Sequence, residues 1–160
     1  MLTIHVLTSV GWVGAVVGFL SIAIVGWMST DRVTSAGLYA SLDVLIWWAI
    51  VPLAGLSLLS GVLQSLGTPW GLTRHYWVLA KLVLTALASV ALLVHTRVVG
   101  AAATAAAQAG MDFTGLQQQL VIDSIAALVV LVVITILATV KPSGVTPWSR
   151  AEPRRTSRRV

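Results

Sequence analysis

Hydrophobic residues form four long stretches in this chain, separated by short polar segments. The stretches cover residues 2–28, 38–66, 75–99 and 116–140 approximately. Each is longer than the roughly 20 residues that a helix needs to cross a hydrocarbon core of about 30 Å. Lipid cannot hydrogen-bond the backbone, so such stretches fold as helices or barrel strands, and continuous apolar runs lack the alternation of a barrel strand. The pattern predicts an all-α, four-helix transmembrane bundle over residues 1–140.

Composition agrees with this fold and adds an orientation. Hydrophobic residues make up 58% of the chain and charged residues 9%, against about 25% charged in soluble domains. After the fourth stretch, Lys141 and several arginines face only Glu152. Because positively charged segments stay cytoplasmic, we expect both termini inside, in a multi-pass protein of the plasma (inner) membrane. Residues 141–160 have too few apolar side chains for a core and are predicted to form a basic, disordered cytoplasmic tail.

Two features of the chain bear on partners. The basic tail is suited to bind anionic membrane lipid or another protein, or it acts only as a topology determinant; no nucleic-acid partner is expected. Gly14 and Gly18 form a G-x-x-x-G pair, which lets a second helix approach closely. We expect this pair to pack inside the bundle, with a homodimer as the alternative.

Pro52 is expected to kink the second helix and widen a pocket near the midplane.

Ionisable side chains within the stretches are the main lead to function, because burying them in lipid is costly. With a rise of 1.5 Å per residue, His5, His75 and Lys81 fall near the cytoplasmic end. Two histidines from different helices can ligate a haem iron axially. His5 and His75 are therefore the predicted metal ligands for haem b. His75 also fits an interfacial belt residue, since it follows Trp70 and Arg74, and His5 also fits an interfacial residue near a helix start.

A second polar cluster is predicted toward the outer side. It comprises Asp43, His95, Arg97 and Asp123. Such groups either relay protons across a membrane or neutralise one another and fix the helix register. Copper is the alternative to haem b as the bound cofactor, because copper(II) is coordinated by imidazole side chains. The chain has no cysteine, which excludes thiolate metal sites and disulfides.

Two motifs resemble a known group of proteins. Residues 5–14 read H-x6-W-x-G from His5 through Trp12, and residues 67–71 read Gly-Thr-Pro-Trp-Gly before Trp77, Lys81 and His95. Together they resemble small four-span bacterial membrane proteins of unknown function related to the copper-resistance CopD-type domain. More distantly they resemble the HemJ-type protoporphyrinogen oxidases. The resemblance covers nearly all of residues 1–140.

The resemblance implies roles for particular residues. In the HemJ-type enzymes a first-span His is associated with haem b and a third-span Lys is important, which implies those roles for His5 and Lys81. We therefore expect a haem-b-binding redox or porphyrin-handling protein, with Lys81 paired to a porphyrin propionate and Trp12 and Trp77 lining the pocket. The CopD-type likeness implies copper handling. Alternatives are copper or proton transport, or a non-catalytic subunit of a larger membrane complex.

Overall fold

The fold is a bundle of four long helices. The computed structural model describes residues 2–67, 76–108 and 110–140. The helices are α1 (Leu2–Met28), α2 (Arg32–Leu66), α3 (Tyr76–Ala107) and α4 (Thr114–Val140). All four are long and apolar enough to cross a membrane, and the described residues contain no strand. The predicted all-α transmembrane bundle is confirmed.

Two helices extend past the apolar stretches from which they were predicted. Helix α2 begins at Arg32 because Asp31 caps it: the carboxylate accepts the Thr34 backbone N–H at 2.8 Å, which satisfies one free donor of the first turn. Helix α3 continues to Ala107, because alanine has the highest helix propensity. The connection between α1 and α2 is consequently short, and α3 projects beyond the apolar stretch.

The four helices pack in a ring. Each contacts its neighbours in chain order, and α4 closes the ring against α1. The core between them holds large side chains from three helices: Trp12 and Phe19 from α1, Tyr39 from α2 and Leu120 from α4. Several short polar side chains are also buried, and this gives the bundle interior two polar regions.

Helix α2 changes its winding near its middle. Segments Arg32–Leu45 and Val51–Leu66 are α-helical, and Ile46–Ile50 between them is π-helical. The Val51 N–H bonds to the Ile46 carbonyl, five residues earlier. Pro52 follows directly; it has no N–H and its ring crowds the carbonyl four residues earlier. The distortion expected at Pro52 is therefore accommodated by a turn that contains one extra residue.

The glycines divide into two groups by what surrounds them. A Cβ added at Gly14 or Gly18 would meet nothing within 4 Å, so this pair faces away from the other helices. The expectation that it packs inside the bundle is wrong, and the homodimer stays a prediction. By contrast, a Cβ at Gly26 would lie 3.1 Å from the Tyr39 ring. Gly61 is similarly close to His5.

Candidate functional site

An inner polar cluster joins α1, α2 and α3. The His5 Nδ1 lies 3.1 Å from the Ser57 carbonyl oxygen and 3.1 Å from Ser60 Oγ. Its Nε2 lies 3.0 Å from Lys81 Nζ. A carbonyl can only accept, so Nδ1 carries the proton and donates, while Nε2 accepts from Lys81. His5 and Lys81, predicted to lie together, are in direct contact.

The local sequence explains how His5 reaches this position. Ser57 and Ser60 are three residues apart on α2 and therefore share a face. Gly61 follows, and its missing side chain leaves room for the imidazole, since a Cβ there would lie 3.0 Å from His5 Cε1. On the same side, Ser9 Oγ lies 2.8 Å from Ser57 Oγ. Contacts between small polar residues thus hold the first turns of α1 against the last turns of α2.

These contacts bear on the predicted haem ligand. Both ring nitrogens of His5 have hydrogen-bonding partners, so an iron would have to displace Lys81 or the serine contacts. His75 lies outside the described residues, and its role as a second ligand stays a prediction. Trp77 is half-buried in the first turn of α3. Trp12 does not join this cluster; it lines a cavity farther along the bundle.

A second site pairs α3 with α4. The His95 Nδ1 lies 3.0 Å from Asp123 Oδ2, and the two side chains are 15% and 41% exposed. The atoms are at ion-pair distance without the alignment of a hydrogen bond, and the described residues offer neither ring nitrogen another polar partner. The Phe19 ring centroid is 6.0 Å from that of His95. The pair lies against aromatic and aliphatic groups.

The His95–Asp123 pair lies well away from the ends of both of its helices. Because α3 continues to Ala107, His95 is about 18 Å along the axis from that end. Asp123 is about 14 Å from the start of α4 at Thr114 by the same rise. An ionisable pair well inside a membrane helix bundle is costly and is usually associated with function.

The remaining members of the predicted outer cluster lie elsewhere. Asp43 is half-buried on α2 beside Gly100, where an added Cβ would lie 3.8 Å from its Oδ1. Arg97 is exposed on α3. Neither residue lines the cavity, and in the described part of the chain neither has an ion-pair partner. The structure therefore brings together His95 and Asp123 but not the full set of four.

A cavity of about 420 Å³ lies beside His95. All four helices contribute apolar side chains to it, and His95, Asp123 and Ser124 are its polar residues. Its lining also includes Trp12, Phe19, Ile46, Ile50, Leu84, Ala88, Ala91, Ala126 and Ala127. Short alanine side chains on α3 and α4 leave space where these helices face each other. The sequence predicts a pocket near Pro52, and Ile46 and Ile50 just before it line this cavity. The contribution of the alanines around His95 was not predicted, although their helical spacing is visible in the sequence.

No family model, curated protein or solved structure matches this chain. The likeness to CopD-type and HemJ-type proteins stays a prediction. Within the described residues, no group of three or more His, Cys, Asp or Glu side chains could hold a metal ion. The cavity, the inner polar cluster and the His95–Asp123 pair are therefore the features that bear on function.

Proposed function

We propose that this membrane protein binds haem b, or a porphyrin of similar size, in the half-open cavity between its helices for a redox or porphyrin-handling role. One observation carries the proposal: His95 lines the cavity, and its Nδ1 lies 3.0 Å from the Asp123 carboxylate. The proposed ligand is thus His95, in place of His5, whose two ring nitrogens are already engaged.

The paired carboxylate supports this choice of ligand. A histidine that ligates a metal commonly presents its second ring nitrogen to a carboxylate, which fixes the ring and raises its basicity. Asp123 would hold Nδ1 in this way and leave Nε2 for the iron. A single proximal histidine is enough to hold haem in other proteins. Bound haem would supply one-electron chemistry, and the chain would supply the ligand, its orientation and an apolar enclosure.

Size and polarity of the cavity also support a large flat ligand. A cavity of about 150 Å³ in another protein accommodates benzene, and this one is about 420 Å³. Trp12 and Phe19 are aromatic walls suited to a conjugated macrocycle. Ligand sites are typically apolar with a few polar groups that fix orientation. His95, Asp123 and Ser124 would be those groups.

The test is an absorption spectrum of the full chain, expressed with ample haem and purified in detergent. We expect a Soret band in the wild type and in His5→Ala, and its loss in His95→Ala. Asp123→Asn should keep the band but shift the reduction potential to more positive values, because the imidazole loses its anionic partner. Colourless wild-type protein, or a band that survives His95→Ala, would contradict the proposal.

A second candidate is proton transport through the bundle, favoured by the depth of the His95–Asp123 pair, since such groups form proton relays in membranes. In proteoliposomes with an entrapped pH-sensitive dye, proton uptake should then be abolished by Asp123→Asn. Asp43→Asn is the matched control, because Asp43 does not line the cavity. Equal uptake by all three proteins would reject this candidate.

A further inference from the structure

Charges are distributed unevenly along the bundle axis. Acidic residues of the chain, apart from Glu152 in the undescribed tail, are Asp31, Asp43, Asp112 and Asp123. All of these lie in the half of the bundle that contains the α1–α2 and α3–α4 connections. In the opposite half, Lys81 is the one Lys, Arg, Asp or Glu among the described residues. Among the described residues, Lys81 therefore has no carboxylate nearby to balance it.

Within the part of the chain that the structure describes, the Lys81 ammonium is also short of hydrogen-bond acceptors. It has three N–H donors, and the one described partner is His5 Nε2 at 3.0 Å. The nearby hydroxyls are directed elsewhere: Ser60 Oγ contacts His5 Nδ1 and the Ser57 carbonyl, and Thr85 Oγ1 donates to the Lys81 carbonyl. A half-buried cation in low dielectric with unused donors strongly favours a bound anion.

The position of Lys81 is within reach of anions at the membrane surface. It lies in the second turn of α3, about 7 Å from the helix start at Tyr76 at 1.5 Å per residue. A lysine side chain at this depth extends toward the headgroup level. His5 contacts the amine through Nε2, and the described residues provide no acceptor for its two other N–H donors.

We propose that Lys81 binds an oxyanion of the phosphate class at this end of the bundle, with His5 as the residue that positions the ammonium. The phosphate belongs either to the headgroup of an anionic lipid or to a free phosphate ion. The site is separate from the His95 cavity, so this inference does not depend on the haem proposal.

The test measures lipid binding to the full chain in neutral detergent by native mass spectrometry. Phosphatidylglycerol and phosphatidylcholine are titrated at high ionic strength, which screens exposed basic residues more than a partly buried one. We expect wild type to prefer phosphatidylglycerol by roughly tenfold, a factor that corresponds to one charge-assisted hydrogen-bonded contact. Lys81→Gln and Lys81→Met should abolish the preference.

Arg97→Gln is the matched control, because it removes an exposed cation from the same helix at the other end and should leave the preference intact. Inorganic phosphate distinguishes the source: if it displaces the lipid at millimolar concentration, the site takes free phosphate; if it does not, the site takes a lipid headgroup. A preference that persists in both Lys81 variants overturns the proposal.

The role of His5 is tested separately. In His5→Gln the side-chain carbonyl can still accept from Lys81, whereas in His5→Ala nothing replaces Nε2. The phosphatidylglycerol preference should survive in His5→Gln and fall in His5→Ala. Equal loss in both variants would remove His5 from the site.

Discussion

His5 reaches its partners because the residue opposite it has no side chain. Gly61 on α2 allows the imidazole to lie against the backbone, and a Cβ there would stand 3.0 Å from His5 Cε1. That separation is below ordinary van der Waals contact, so the ring would have to move. Its hydrogen bonds to Ser57 and Ser60 and its contact with Lys81 would move with it.

Gly61→Ala should therefore destabilise the bundle, whereas Gly55→Ala should not. Overpacking a well-packed contact costs about 1–3 kcal/mol, and the serine contacts of His5 would weaken as well. At Gly55 an added Cβ would meet nothing within 4 Å, and helix propensity favours alanine. Thermal unfolding in detergent, followed by tryptophan fluorescence, measures both variants against the wild type. Equal melting temperatures for the two variants would contradict the close contact.

At the scale of the element, the π-helical segment decides which side chains of α2 reach the cavity. Ile46 and Ile50 are both buried and line it, while Trp47 and Trp48 are 50% and 81% exposed. The extra residue rotates the segment Arg32–Leu45 relative to Val51–Leu66. The two α-helical parts of α2 can then each present their buried face to the same core.

Deleting Ala49 should convert the π-helical turn into an α-helical one and keep both halves of α2 in register. Deleting Ala40, an exposed residue of the regular part, should rotate the preceding turns by about 100° and expose buried side chains. We expect the first variant to lose only the stability that regular α-helical winding at Pro52 costs, and the second to unfold at a clearly lower temperature. The same thermal unfolding assay applies. Equal destabilisation would argue that the π turn has no register role.

The Asp31 cap at the start of α2 predicts that the stability of the protein depends on pH. Hydrogen bonds from the Thr34 hydroxyl and backbone N–H lower the pKa of Asp31 below its ordinary value of 3.8. A carboxyl group whose pKa is lowered by folding stabilises the protein fully at pH values above its ordinary pKa of 3.8. That stability is lost as the pH falls through the lower pKa of the folded state. Asp31→Asn keeps an N-cap side chain but cannot titrate.

Melting temperatures between pH 6 and pH 3 test this directly. The wild type should lose stability faster than Asp31→Asn as the pH falls. Asp112, whose pKa is lowered by the Thr114 backbone N–H and hydroxyl, titrates in both proteins and serves as a common background. Parallel curves for the two proteins would show that the Asp31 cap contributes no pH dependence.

At the scale of the whole molecule, the sequence predicts how far along its helix a residue lies better than it predicts how that helix is rotated about its axis. Contacts that depend only on position along the helix are therefore predicted best. Helix α1 ends where its apolar stretch ends, and His5 meets Lys81 because both lie near the same end of their helices. The separation of Asp43 from His95 could not be predicted in this way. It depends on how α2 and α3 are rotated about their axes, and the structure places Asp43 beside Gly100 instead.

The alanines that line the cavity escaped prediction for a related reason. Ala88 and Ala127 are ordinary apolar residues in sequence, and only the relative rotation of α3 and α4 places such short side chains opposite each other. Trp12 is predicted to line the same pocket as His5, and a spacing of seven residues does put both on one face of α1. About two turns of helix separate them, and this distance is enough to assign Trp12 to the cavity instead.

The orientation of the bundle is a further prediction, since it rests on the basic residues after α4. A cytoplasmic reporter fused to the C-terminus should be active in the wild type, in keeping with the positive-inside rule. Replacing Lys141 and the arginines of residues 150–159 with asparagine should lower that activity. A periplasmic reporter that is active in the wild-type fusion would reverse the proposed topology.

The uneven placement of charge gives the bundle an electric dipole along the membrane normal. Among the described residues, four aspartates outweigh Arg32 and Arg97 in one half, and Lys81 is the one Lys, Arg, Asp or Glu in the other. A membrane potential contributes about 2.3 kcal/mol per elementary charge moved fully across 100 mV. In the proposed orientation the negative interior attracts the Lys81 end and repels the aspartates. An energised membrane therefore stabilises this orientation, and depolarisation weakens that electrical contribution.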